Sequence, residues 1–251
     1  AVPAANAAPA SCDAVCVRTT VEEITRHDGA AAAVAWLDLI EDLQVRSNCH
    51  ALHHRIGRIA GRDGWPTYRT DACEYGYLHG VLQARAEAEA DVATFYRDVA
   101  SWCGSHILAV QHECAHGAGH ATALLVNDSI DTALAACADV GGWWGPLCAG
   151  GVLMEYGEGY QLRSGWLRQV SGNAVSGPDR SVSTTITAAE IDGLCTRVAA
   201  SITVECYGRI ATFIAPTWTG DPAASVAVCD RASDPRSVEA CHIGFSEYVI
   251  E

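Results

Sequence analysis

The sequence predicts an all-α protein built from disulfide-stapled helical hairpins, arranged as an α/α superhelix or α-solenoid. Three observations lead there. Eight of the 12 cysteines pair off at nearly constant spacing: Cys103 with Cys114, Cys137 with Cys148, Cys195 with Cys206 and Cys229 with Cys241, at 11, 11, 11 and 12 residues. An alanine-rich amphipathic stretch precedes the first cysteine of a pair, as in Ser129 to Cys137, where Ile130, Leu134 and Cys137 recur at helical spacing. Helix-start residues stand a few positions before the second cysteine, so each pair bridges the end of one helix and the beginning of the next.

In chain order, residues 1–11 read as a linker left after signal cleavage, being rich in Ala and Pro without a basic or long apolar segment. Residues 12–251 read as a single all-α repeat domain. Ser47 and Asn48 announce a helix at Cys49, and Thr70 or Asp71 one at Cys73. A helix from about Val110 carries Cys114, Pro146 fits a first turn before Cys148, and Ser201 and Ser237 start the helices of Cys206 and Cys241. The second-helix cysteines at 49, 73, 114, 148, 206 and 241 recur at intervals of 24, 41, 34, 58 and 35, near the period of helical-hairpin repeats. Gly76, Gly117, Gly151 and Gly244 each follow such a cysteine by three, a placement that costs helix stability unless another helix approaches closely. Residues 157–185, within the longest interval, are polar and rich in Gly and Ser and read as a surface loop inserted between repeats.

The segment from Ala133 to Gly159, with Cys137, Cys148, Gly151, Tyr156, Gly157 and Gly159, resembles one unit of the cysteine-rich Sel1-like helical repeats. That resemblance implies hairpins each stapled by a disulfide. It implies nothing about activity.

An even set of 12 cysteines, with Cys12 and Cys16 the one closely spaced pair, favours six disulfides over thiolate metal clusters, and hence a secreted, periplasmic or extracellular location. Cys12, Cys16, Cys49 and Cys73 leave three pairings open. The net charge of -14 repels phosphates and anionic headgroups, so nucleic acid and membrane surfaces are excluded as partners. All 16 basic residues are arginine, which removes Schiff-base chemistry and the phosphate-loop lysine. The partners left are a small-molecule or peptide substrate, or a partner protein. Trp65, Trp102, Trp143, Trp144 and Trp218 fit either a groove wall or core packing.

Six of the 10 histidines, His50, His53, His54, His79, His116 and His120, follow a cysteine in these second helices. His79 and His120 share the same offset from their cysteine, with Met154 and Glu247 at the matching places. His50 with His54, and His116 with His120, are four apart and share a helix face, the spacing at which two imidazoles grip one ion. Such pairs resemble those of coupled binuclear copper proteins. Imidazoles without a set of carboxylates select a transition metal, copper or zinc ahead of iron or a noncovalent haem.

A second motif overlaps the first. His112-Glu113-Cys114-Ala115-His116 matches HExxH and resembles the zinc metallopeptidases; the resemblance implies His112 and His116 as ligands and Glu113 as general base. His120 extends the stripe, though the three span about 12 Å along a helix, too far for a single ion. Glu155, seven after Cys148, is a further ligand or base candidate. The sequence thus points to an exported metalloprotein with copper oxidative or zinc hydrolytic chemistry. The alternative is a noncatalytic binding module, or a protein that sequesters metal.

Overall fold

The computed structural model describes residues 12–65, 67–68, 70–89, 91–126, 129–161, 193–214 and 227–250. Among them every regular element is helical and no strand occurs. They fall into two compact units, divided inside one helix between Gly117 and Ala118.

The first unit contains α1 (Ala14–Asp28), α2 (Ala30–Leu37), α3 (Leu43–Ser47), α4 (Cys49–Ala60), a 3-10 turn (Gly61–Asp63), α5 (Gly76–Ala88) and α6 (Val92–Cys103). It ends within α7 (Leu108–Leu125). Its core brings Val17 and Val21 of α1 against Ala33 and Val34 of α2 and Leu52 and Ile56 of α4. Beside this core Glu22 bonds Arg26 and Arg55 at 2.7 Å each, tying α1 to α4. Burial raises the Glu22 carboxyl, but the two guanidiniums outweigh it and hold the group below its ordinary range. The ionised form is therefore the one that stabilises the fold, present above the unfolded value and lost as pH falls through the lowered folded value. Glu22→Gln is expected to flatten the loss of stability on acidification below about pH 4.5, as measured by denaturant midpoints across a pH series.

The contact between α4 and α5 sets the geometry of everything that follows. A Cβ at Gly57 would lie 1.9 Å from the Tyr77 carbonyl oxygen, and one at Gly80 2.0 Å from that of His54. The two backbones touch, and α4 and α5 can present their histidines to each other at short range. The glycine rule read from the sequence finds Gly76, whose Cβ would meet the His50 carbonyl at 2.5 Å, and Gly117, packed on the His79 ring. It misses Gly57 and Gly80.

The second unit holds the rest of α7 with α8 (Ile130–Val140), α9 (Trp144–Gln161), α10 (Ala200–Ile214) and α11 (Pro235–Ile250). Neighbours in the chain pack on one another, α8 on α9, α9 on α10 and α10 on α11. Leu134, Leu153, Ile202 and Tyr207 are buried between them.

Six disulfides form. The four regular pairs join Cys103 to Cys114, Cys137 to Cys148, Cys195 to Cys206 and Cys229 to Cys241, as their spacing predicts. The remaining four cysteines pair as Cys12–Cys16 and Cys49–Cys73. Twelve cysteines in six bonds suit an oxidising compartment outside the cytosol. Among the described residues no helix is long and apolar enough to cross a membrane.

Several boundaries differ from the sequence reading, each for a local reason. The helix expected at Cys73 starts at Gly76, because Cys73, Glu74 and Tyr75 adopt left-handed backbone with φ of 52, 53 and 58°. The helix carrying Cys114 starts at Leu108, and that of Cys206 at Ala200. The start of α11 is capped by Asp234 in place of Ser237: its carboxylate accepts from the Arg236 and Ser237 amides and from the Ser237 hydroxyl. Asp234→Ala is expected to fray this start and lower the thermal midpoint read by far-UV circular dichroism. Helix α9 runs to Gln161, so 157–161 continues the helix and is not loop. The rest of that stretch, the linker 1–11 and Trp218 lie outside the described residues.

Candidate metal centre

Helix α4 begins at Cys49, which places His50 and His54 one turn apart on the side facing α5. Helix α5 supplies His79. One ring nitrogen from each of His50, His54 and His79 lies within 4.8 Å of the others. The ring centroids are 4.7 Å apart for His50 and His54, and 5.3 Å from each of these to His79. His79 is buried and the other two are half-buried, so the group sits in the wall of the first unit.

The hydrogen bonds orient the two rings of α4. His50 donates from Nδ1 to the Cys73 carbonyl at 2.8 Å, and His54 from Nδ1 to Gln83 Oε1 at 3.2 Å. In a neutral imidazole that leaves each Nε2 with a lone pair. Those two nitrogens face each other at 3.1 Å. Two lone pairs so close repel unless a proton or a cation lies between them. A tetrahedral ion with metal–nitrogen bonds of about 2.0–2.1 Å holds adjacent ligand nitrogens about 3.3 Å apart, close to what is seen. The carbonyl and amide partners are also what metal-ligating histidines use to hold tautomer and ring orientation.

Helix α7 closes this side. Glu113 Oε2 lies 3.5 Å from His79 Nε2, near enough to balance positive charge on that ring or on an ion bound to it. His116, 9% exposed, sets its ring 5.2 Å from that of His79, the two planes tilted by 48°.

The remaining sequence candidates are placed differently. His53, on the same helix as His50 and His54, turns into the core at 1% exposure, and burial pushes its ring down to about 4, helped by His50 and opposed by Asp38. It is neutral at pH 7 and stands apart from the three-histidine group. His112 is half-exposed and bonds its neighbour Glu113 at 2.9 Å. The HExxH residues are therefore divided: Glu113 and His116 turn toward His79, and His112 toward solvent. In the second unit His120 is fully buried and donates from Nδ1 to Glu155 Oε1 at 3.0 Å. Glu155 serves there as the orienting partner of a histidine.

Sequence reading misses the Cys73 carbonyl and Gln83. A backbone group carries no sequence signal. Gln83 does: it stands four residues after His79 on a helix otherwise buried by Leu78, Val81, Leu82 and Ala84, a polar side chain that needs a partner. Trp65 and Trp102, stacked at 4.5 Å, line a separate cavity of about 480 Å³ with Asp98, Ser101, Ser105 and His106. No family model matches the chain, and no curated protein or solved structure matches it either.

Proposed function

We propose that the chain is an exported metalloprotein, built of repeated stapled hairpins, whose resident ion is zinc or copper held by His50, His54 and His79. The opposed Nε2 atoms of His50 and His54, 3.1 Å apart with both Nδ1 groups already committed, carry this reading. His50, His54 and His79 would hold the ion with three imidazole nitrogens, the number of protein ligands typical of catalytic zinc sites. Zinc so held would supply Lewis-acid activation of water toward a small-molecule or peptide substrate, and copper would supply oxidative chemistry. Glu113 Oε2, 3.5 Å from His79 Nε2, would compensate the charge of such an ion.

The test is elemental mass spectrometry, with a visible absorption spectrum, on protein exported natively without a histidine tag. One equivalent of zinc or copper per chain is expected. A folded protein with the six disulfides formed and no bound metal would overturn the reading in favour of a noncatalytic binding module.

A further inference from the structure

The metal centre is tied to one particular disulfide. Cys49 is the first residue of α4 and immediately precedes His50, and the carbonyl of Cys73 accepts the Nδ1 proton of His50 at 2.8 Å. Cys49–Cys73 thus holds both the ligand and the group that orients it. The turn on the Cys73 side is under tension: Cys73, Glu74 and Tyr75 are three successive non-glycine residues at positive φ, each costly for an L-amino acid and persisting only where surrounding constraints hold it.

Accessibility separates this bond from the hairpin staples. The eight cysteines of the four regular pairs are at most 1% exposed. Cys49 and Cys73 are only partly buried, as are Cys12 and Cys16. Thiol–disulfide exchange requires in-line approach of a thiolate to a sulfur, so the buried staples are shielded and Cys49–Cys73 is the more accessible.

We propose that Cys49–Cys73 is a thiol-exchange site that clamps the histidine centre, and that its opening by a dithiol releases the metal; this rests on the metal reading above. One thiolate of the dithiol attacks a sulfur of the pair to give a mixed disulfide. Its second thiol then displaces the protein sulfur. The protein gains two thiols and the reagent leaves as a disulfide, a transfer of two electrons and two protons. Without the cross-link the left-handed turn relaxes, the Cys73 carbonyl withdraws from Nδ1, and the His50 ring is free to rotate. Loss of such an orienting partner weakens metal binding by about 10–100-fold.

The test uses full-length oxidised protein loaded with one equivalent of Zn²⁺ and titrated with a water-soluble phosphine, which reduces disulfides without the zinc affinity of a thiol reagent. Alkylation and peptide mapping report which bond opens, and a chromophoric chelator reports free zinc. Cys49–Cys73 is expected to open before the four buried staples, with zinc released in step. Cys49→Ala/Cys73→Ala is expected to bind Zn²⁺ about 10–100-fold more weakly with unchanged far-UV circular dichroism, whereas Cys12→Ala/Cys16→Ala binds as the parent does. Zinc retained at full affinity once Cys49–Cys73 is open, or that bond resisting a reductant that opens the buried staples, would overturn the clamp. If the double variant does not fold, the phosphine titration of the parent decides. Failure of the oxidised parent to bind zinc at all would instead sink the metal reading.

Discussion

His79→Ala is expected to reduce Zn²⁺ affinity by more than 100-fold while leaving the helical content intact, as measured by competition with a chromophoric chelator. The ring lies 5.2–5.3 Å, centroid to centroid, from those of His50, His54 and His116, so it is the one histidine that α5 brings to the pair on α4. Two imidazoles one turn apart on a helix bind transition ions weakly, and the third supplies further affinity. His53→Gln, three residues from His50 on the same helix but turned into the core, is the internal comparison and is expected to retain the metal. Equal loss in both variants would mean that the effect is structural. Retention in His79→Ala would remove this histidine from the site.

The second large effect concerns the surface on which the site is built. Gly80→Ala is expected to destabilise the protein by about 3 kcal/mol or more, because the added Cβ would fall 2.0 Å from the His54 carbonyl oxygen and backbone cannot step aside as a side chain can. The same variant should lose zinc, since α4 and α5 must separate to admit the methyl group. Gly208→Ala provides the contrast. Its Cβ would make ordinary contacts from 3.5 Å with Ala240, so the gain in helix propensity of about 0.5–1 kcal/mol remains and the variant is expected to be more stable than the parent. Urea midpoints of the two variants decide; an unaffected Gly80→Ala would mean that the two helices are not in backbone contact.

Helices and staples were legible because both are local. A cysteine 11 residues from its partner, with a cap or proline between, encodes a turn and two helix ends in one short window, and Cys103–Cys114, Cys137–Cys148 and Cys195–Cys206 follow that grammar. The left-handed run at Cys73–Tyr75 broke it, since nothing in Cys, Glu or Tyr announces positive φ. In the site, the i,i+4 rule identified His50 and His54 on one face and could not tell that His53 faces inward. Of the HExxH residues, read as two ligands and a base, Glu113 and His116 lie beside His79 and His112 does not, a division that only the packing of one helix on another decides. Gly57 and Gly80 lie outside the offset rule because they answer to a backbone in another helix.

The connectivity of the disulfides has a consequence for how the chain acquires them. In order along the sequence the cysteines join first to second, third to fourth, and so on to the last, Cys229 to Cys241. Twelve thiols admit roughly 10,000 complete pairings, yet this one needs no thiol to wait for a distant partner. Ring closure falls in probability as the loop lengthens, and most of these loops span only 4 to 12 residues. A chain that meets an oxidising environment from its N-terminus onward can therefore complete each crosslink as soon as its second thiol arrives, with little work left for a shuffling isomerase.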